Sequence, residues 1–158
     1  MKVLIVEDDE NKRQYLASFV REQIADASIE EARSYRSGLL KSLEQRFDLI
    51  LLDMSMPTFD IAPGEDGGRP QSLAGREILR QLERRRVQHA VIVVTQLVRF
   101  GDDETMTASE LDGELRDAHP SMYRGMVYYD ATLAGWKGEL LDLIRALPSA
   151  QSSKESAP

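Results

Sequence analysis

Residues 47–57 read FDLILLDMSMP, and the interpretation of the whole chain starts from them. The apolar run Leu49–Leu52 stops at a carboxylate, Asp53. A short continuous apolar run is typical of a strand that is buried on both faces, as in a parallel sheet. Because open α/β sheets bind ligands at the carboxyl ends of their strands, Asp53 is a candidate site residue. For an isolated Asp shortly before Pro57, a turn-forming role is the simpler interpretation.

The composition limits the class of protein. With 158 residues, 42% hydrophobic and 30% charged, the chain can form one globular domain with a substantial core. The formal net charge of −7 argues against direct nucleic-acid binding, and the absence of Cys excludes disulfides and thiolate metal sites. His89 and His119 are far apart in sequence, so a His-rich metal site is not expected. The N-terminal MKVLIVEDDE is neither a signal peptide nor a membrane span, which predicts a cytoplasmic protein without a membrane partner.

Strand and helix patterns alternate along the chain. Apolar runs predict strands, and apolar residues at helical spacing predict helices. The predicted strands are Lys2–Val6, Ser28–Ser34, Asp48–Leu52, Ala90–Val94 and Gly125–Tyr129. The predicted helices are Glu10–Ile24, Tyr35–Arg46, a third from Ser72 or Leu73 to Arg86, Glu104–Ala118, and a fifth from Trp136 to Leu147. This alternation predicts a flavodoxin-like α/β fold, a five-stranded parallel sheet of order 2-1-3-4-5 with helices on both faces.

Two loops and the C-terminus stand apart from this pattern. Thr58–Pro70 and Gln96–Asp103 flank the same mouth of the predicted sheet, either as a lid or partner-specific surface or as tolerated insertions. The domain is predicted to span residues 1–148. The small, polar segment Ser149–Pro158 is expected to be a disordered tail.

Three carboxylates are expected to converge at the switch point of the sheet. Glu7 and Asp8 follow the first strand, and Asp53 follows the third, its neighbour in this strand order. Such a cluster is stable only when protons or a cation neutralise it. Oxygen ligands without His or Cys favour a hard cation, and Mg²⁺ fits best. Mg²⁺ beside a carboxylate could also hold a phosphoryl group for in-line attack on phosphorus.

Thr95 ends the fourth strand, where its hydroxyl could donate to a phosphoryl oxygen. Taken alone, a hydroxyl that bonds its own loop is the simpler interpretation. Acids after the first strand, Asp53 after the third and Thr95 after the fourth are together hard to explain as coincidence.

These motifs resemble the receiver domains of two-component response regulators, which have a CheY-like fold. The resemblance covers Met1 to Leu147, and it rests on VLIVEDD at Val3–Asp9, LLDMSMP at Leu51–Pro57, VIVVT at Val91–Thr95 and LAGREILRQL at Leu73–Leu82. It implies that Asp53 is the phosphoacceptor, Thr95 the switch hydroxyl, Asp8 a direct Mg²⁺ ligand, Glu7 a ligand partly through water, and Ser55 a ligand through its backbone carbonyl. Asp9 is interpreted as a helix N-terminal acid.

The resemblance also implies partners. The phosphoryl donor would be a sensor histidine kinase or a phosphotransfer protein. Output would pass through a protein partner or a homodimer, by way of the face formed by the fourth helix, fifth strand and fifth helix.

The chain departs from the family at the end of the fifth strand. There the family has Lys followed by Pro, and the Lys pairs with the phosphoryl oxygen. At the two plausible positions this chain has Asp130 and Ala131. Arg99 and Lys137 are candidate substitutes, although an exposed basic residue is the simpler interpretation of each.

Two further positions bear on the site. Gln96 follows Thr95, where the family usually has a very small residue, and its side chain could crowd a phosphoryl group. Tyr128 or Tyr129 could serve as the switch aromatic, because alternation places them on opposite faces of the sheet.

Two functions are therefore carried forward. The first is a stand-alone receiver that accepts a phosphoryl group on Asp53 with Mg²⁺, and it is favoured by the intact acids and Thr95. The alternative is a pseudo-receiver, a protein-binding module independent of phosphorylation, and the missing Lys favours it. A phosphohydrolase would need an acid two residues after Asp53, where Ser55 stands, so an enzyme is not expected.

Overall fold

A five-stranded parallel sheet forms the centre of the protein. The computed structural model describes residues 1–65 and 70–148. The strands of this sheet are β1 (Lys2–Val6), β2 (Ser28–Ala32), β3 (Leu49–Leu52), β4 (Val91–Thr95) and β7 (Tyr123–Tyr128), and a short hairpin adds β5 (Arg99–Phe100) and β6 (Met106–Thr107). The order β2-β1-β3-β4-β7 confirms the predicted strand order, with β7 as the fifth strand of the sheet.

Five helices cover both faces of the sheet. They are α1 (Glu10–Gln23), α2 (Tyr35–Glu44), α3 (Ala74–Arg84), α4 (Ala108–Ala118) and α5 (Gly135–Arg145). Alternate residues of each strand point to opposite faces. On β3, Leu49 and Leu51 pack with α1 and α5, whereas Ile50 and Leu52 pack with the face covered by α3 and α4. This two-sided burial explains why β3 is continuously apolar and why β1 and β4 are apolar except for one end residue each, Lys2 and Thr95.

The segment after β4 differs from its prediction. The residues predicted as the loop Gln96–Asp103 include β5, which pairs antiparallel with β6, and α4 begins at Ala108 rather than at Glu104. Glu104 has a left-handed φ of 55°, which excludes a helical start at that residue. The helix begins where the Thr107 hydroxyl oxygen accepts a hydrogen bond from the Glu110 N–H. Phe100 is buried and anchors the hairpin in the core.

The loop after β3 is closed at its base. Met56 and Gln71 exchange two backbone hydrogen bonds, N–H to carbonyl in both directions, of 3.2 and 3.0 Å. Beyond this bridge, the backbone N–H groups of Tyr35 and Arg36 donate to the carbonyls of Pro57 and Thr58, and the Ser37 hydroxyl donates to Asp60. The first part of the loop is thus attached to the start of α2.

Some predictions fall outside the described residues. The predicted disordered tail, residues 149–158, lies there, as do residues 66–69 of the loop. In the described ranges, no helix combines the length and the apolar character that crossing a membrane would require.

Candidate functional site

The carboxylates of Glu7, Asp8 and Asp53 meet at the carboxyl ends of β1 and β3. Carboxylate oxygens of all three lie within 4.8 Å of one another. The N–H of Asp53 donates to the carbonyl of Val6 at 3.1 Å, which extends the β1–β3 pairing by one residue beyond β3. This register places Asp53 beside the end of β1, so the structure brings together the three acids that the sequence singled out.

Burial sets the electrostatics of Glu7 and Asp53. Glu7 is 2% exposed, and its Oε1 accepts the N–H of Asp9 at 3.0 Å. Burial, and next the charge of Asp53, raise the pKa of Glu7 to about 8. Asp53 is 9% exposed, and burial raises its pKa as well, against the opposing influence of Lys12. Full ionisation of both carboxyl groups would therefore place more negative charge in the cluster than its surroundings stabilise.

Lys12 inserts a cation into this cluster. Its Nζ lies 2.6 Å from Oε2 of Glu7 and 3.5 Å from Oδ2 of Asp53, and it donates to the carbonyl of Val94 at 2.8 Å. The side chain is only 2% exposed. Sequence reasoning missed this residue, although Lys12 precedes Leu16 by one helical turn and so falls on the buried face of α1.

The first turn of α1 positions Lys12. Asp9 is the N-cap of the helix, and its carboxylate accepts the backbone N–H of Lys12 at 2.9 Å. Arg13, also buried, donates to the backbone carbonyl of Glu7 at 3.0 Å. The interpretation of Asp9 as a helix N-terminal acid is confirmed, and the same cap fixes the backbone from which Lys12 reaches the acids.

Tyr129 directly follows β7, at the edge of the sheet where the site lies. Its N–H donates to the carbonyl of Thr95 at 2.8 Å, and its ring lies 5.7 Å from Nζ of Lys12. Tyr129 is buried, whereas Tyr128 is half exposed. Asp130 instead accepts hydrogen bonds from the N–H and hydroxyl of Thr132, within its own loop. The expectation that position 130 or 131 faces the site is therefore wrong, because the strand alternation turns Tyr129 inward.

Neither predicted substitute for the missing Lys pairs with Asp53. Arg99 is exposed on β5, and Lys137 is exposed on α5 with its ammonium 5.7 Å from the ring of Trp136. Across residues 1–65 and 70–148, the ion pair of Asp53 is with Lys12. Gln96 is exposed to solvent as well.

Thr95 and Ser55 complete the set of predicted site residues. Thr95 is buried, and its hydroxyl oxygen accepts the N–H of Leu97 at 3.1 Å. The loop contact that was the simpler interpretation of Thr95 is thus present, and it leaves the hydroxyl proton free to donate elsewhere. Ser55 is half-buried in the loop after β3, between the buried Met54 and Met56.

Gly75 supports the Asp53 backbone from the first turn of α3. Its N–H donates to the carbonyl of Met54 at 3.1 Å. A β-carbon at this position would lie 2.3 Å from the carbonyl oxygen of Asp53. Only glycine allows the helix to approach the phosphoacceptor candidate this closely.

The donor set fits a hard divalent cation. All three side chains offer carboxylate oxygens, the ligands that Mg²⁺ prefers. Among the described residues, Oε2 of Glu7 is buried beside Lys12 without an aligned hydrogen bond, which leaves acceptor capacity directed into the cluster.

Comparison with known proteins identifies the family. The family model of the response regulator receiver domain matches residues 3–114, and the chain belongs to this family of two-component signalling domains. The Detocs response regulatory protein DtcB of Enterobacter cloacae (strain JD6301) is 31% identical over 151 residues, which cover 93% of this chain and 100% of that protein.

Solved structures share the fold. Response regulator protein TrrA of Thermotoga maritima, in complex with Mg²⁺-BeF, has a TM-score of 0.56 and 19% identity over 90% of this chain and 97% of its own. The structure of the P1 domain of CheA3 in complex with CheY6 from R. sphaeroides matches with a TM-score of 0.60 and 24% identity, over 92% of this chain and 95% of that one. The predicted CheY-like architecture is confirmed.

Proposed function

We propose that this receiver accepts a phosphoryl group on Asp53 with the help of Mg²⁺ and signals through a protein partner or by self-association. The observation that carries the proposal is the convergence of Glu7, Asp8 and Asp53, with their carboxylate oxygens within 4.8 Å of one another. Two of the three carboxylates, those of Glu7 and Asp53, are buried, which is costly unless cations neutralise them.

Glu7, Asp8, Asp53 and the backbone carbonyl of Ser55 would hold the metal. Bound Mg²⁺ would neutralise the carboxylates and the phosphoryl oxygens during transfer. The all-oxygen donor set supports this assignment, as does the Mg²⁺-BeF complex of the similar TrrA fold.

Asp53 would act as the nucleophile. One of its carboxylate oxygens attacks phosphorus, the bond from phosphorus to the donor's leaving atom breaks, and the leaving atom keeps the electron pair. Oδ1 accepts the N–H of Met54 at 2.8 Å and is thereby fixed. Thr95 would donate its hydroxyl proton to a phosphoryl oxygen, in the role of the switch hydroxyl.

The donor would be a sensor histidine kinase or a phosphotransfer protein, which would place the reaction in the cytoplasm. The complex of CheY6 with the P1 domain of CheA3, a structure of the same fold, supports this assignment. The face formed by α4, β7 and α5 would carry the output to a partner or to a second copy of the chain. This face would exchange between two packing arrangements, and the phosphoryl group would shift the population from one to the other.

The proposal is tested with acetyl phosphate or beryllofluoride in the presence of Mg²⁺, on wild type and Asp53→Asn. Intact mass should show a Mg²⁺-dependent phosphoryl adduct that the variant lacks. Amide NMR with beryllofluoride should show shifts that spread from Asp53 to Thr95 and β7. Beryllofluoride shifts without an adduct would indicate a competent site that requires a specific donor.

The second candidate is a pseudo-receiver that binds partners independently of phosphorylation. The specific observation in its favour is that Lys12 already neutralises part of the acidic cluster without a metal. Absence of both the adduct and the beryllofluoride shifts would overturn the receiver proposal and select this alternative.

A further inference from the structure

Building on the proposed function, we propose that Lys12 is the resident counter-ion of the acidic pocket. Its ammonium lies against the Glu7 carboxyl group in the unmodified protein, where it opposes Mg²⁺ binding, and pairs with the phosphoryl group after transfer to Asp53. Lys12 would thus supply from α1 the cation that receivers normally carry at the end of the last strand.

The contacts of Nζ place the ammonium at the centre of the site. Nζ donates to the carbonyl of Val94 at 2.8 Å and lies 2.6 Å from Oε2 of Glu7 and 3.5 Å from Oδ2 of Asp53. These acceptors follow β1, follow β3 and lie on β4. Lys12 therefore reaches the site from α1, and none of these three acceptors belongs to β7.

A purely structural ion pair is a weak explanation for Lys12. Its position on α1 lies one turn before Leu16, on a buried face whose other residues beyond Arg13 are apolar. Burying an ammonium costs desolvation energy, and apolar replacement of buried ion pairs is often neutral or stabilising. An apolar residue would serve packing at least as well, which points to a role for the charge itself.

Lys12 and Mg²⁺ compete for the same acceptors. Oε2 of Glu7 and Oδ2 of Asp53 are the oxygens that face the ammonium, and both residues belong to the carboxylate cluster. Two cations within a few ångströms repel each other. Metal binding therefore requires Nζ to withdraw from Glu7, which the flexible four-carbon stem permits while the Asp9 cap holds the backbone.

Phosphorylation of Asp53 would draw the Lys12 ammonium from Glu7 toward Asp53. Nζ is closer to Glu7 than to Asp53 in the unmodified protein. A phosphoryl group replaces the single charge of Asp53 with about two negative charges and adds acceptor oxygens. Because the ammonium already lies 3.5 Å from Oδ2 of Asp53, a small rotation of the side chain would bring it to a phosphoryl oxygen.

The experiment compares Lys12→Met with wild type and with Lys137→Met. Lys137 is exposed on α5, so the control makes the same substitution and the same charge change away from the acids. Mg²⁺ affinity is measured by amide NMR titration without any phosphoryl reagent. Beryllofluoride affinity is then measured at saturating Mg²⁺, with thermal melts to verify folding.

Lys12→Met should bind Mg²⁺ about tenfold more tightly than wild type, equivalent to about 1.4 kcal/mol. It should also bind beryllofluoride about tenfold more weakly, whereas Lys137→Met should match wild type in both. Lys12→Gln repeats the test if the Met variant does not fold. Lys12→Arg, which keeps the charge, should recover part of the beryllofluoride affinity.

An unchanged value of either affinity in the folded Lys12 variant overturns the inference. If wild type, Lys137→Met and Lys12→Met all bind beryllofluoride and have equal Mg²⁺ affinity, the inference fails and the proposed function stands. If none of these three proteins binds Mg²⁺ or beryllofluoride, the Lys12 inference and the proposed function both fail.

Discussion

Gly75 lies so close to Asp53 that a β-carbon at position 75 would come within 2.3 Å of the Asp53 carbonyl oxygen. The same hypothetical atom would lie 2.5 Å from the end of the Met54 side chain. The Met54 side chain could rotate away, but the backbone carbonyl of Asp53 could move only together with the end of β3. A side chain at position 75 is therefore a direct perturbation of the phosphoacceptor candidate.

Gly75→Ala should destabilise the protein and slow labelling of Asp53. We expect a loss of about 1–3 kcal/mol in the free energy of unfolding, as for overpacking of a close-packed interior. Urea denaturation measures the loss, and intact mass after acetyl phosphate treatment measures the labelling. Gly113→Ala is the matched control, because a β-carbon there meets nothing within 4 Å, and it should stabilise α4 by up to about 1 kcal/mol. Equal stability of the two variants would contradict the role of Gly75.

The stability of the metal-free protein should fall as the pH rises from 5 to 8. Burial raises the pKa of Glu7 from 4.5 to about 8, so in this range the folded protein keeps a proton that the unfolded chain releases. Stability falls with pH wherever the folded state binds more protons. The raised pKa of Asp53 acts in the same direction.

Chemical denaturation in a chelator at several pH values checks this prediction. Glu7→Gln should flatten the profile because it removes the titrating group. Asp53→Asn should make it shallower, since the charge of Asp53 helps to raise the pKa of Glu7. A wild-type stability that does not fall between pH 5 and 8 would show that Glu7 is ionised in the folded protein throughout this range.

Thr95→Val should cost stability and also uncouple the site from the β7 side of the sheet. The substitution leaves the N–H of Leu97 without its 3.1 Å acceptor, at a cost of about 1 kcal/mol. It also removes the hydroxyl proposed to meet the phosphoryl group. Beryllofluoride-induced amide shifts should then stay near Asp53 and no longer reach Tyr128 and Tyr129. Thr95→Ser keeps the hydroxyl and should retain the shifts, and their loss in both variants would point to packing instead.

Tyr123→Phe should loosen α4 from β7. The Tyr123 hydroxyl donates to the carboxylate of Asp112, and burial together with this bond raises the pKa of the tyrosine. Removing a hydrogen bond to a charged acceptor costs about 1.5–3 kcal/mol. Hydrogen exchange should accelerate in α4 more than in α1. Uniform exchange across all helices would mean that the pair stabilises the whole domain rather than this face.

Sequence periodicity predicted the sheet because strands that are buried on both faces are continuous apolar runs in the sequence. Residues 49–52 and 91–94 are continuously apolar, as is typical of central parallel strands, and a polar site residue follows each run. Strand order then followed from general rules of connection, and so did the meeting of Asp53 with Glu7.

The expectations that failed concern residues whose burial or register differs from what their residue type and the local sequence pattern predict. Lys12 was overlooked because a charged residue near a helix end is usually solvated, and only the three-dimensional meeting of α1 with the strand ends shows otherwise. Asp130 and Ala131 were expected to face the site, whereas Tyr129 does, because a one-residue difference in register exchanges the two faces of a strand. The hairpin at Arg99–Thr107 was missed because two-residue strands carry no periodicity, and acidic residues before Thr107 resemble a helix start.

The paired backbone bonds between Met56 and Gln71 separate the loop they enclose from the geometry of the site. The bridge holds the two ends of the loop side by side, so the end of β3 and the start of α3 keep their spacing whatever the loop contains. Doubling the length of such a loop costs only about 0.6 kcal/mol of closure entropy. The exposed residues 61–65, beyond the hydrogen bonds that attach the first part of the loop to α2, are therefore a natural place to graft a peptide or fluorophore, because the bridge would keep Asp53 in register.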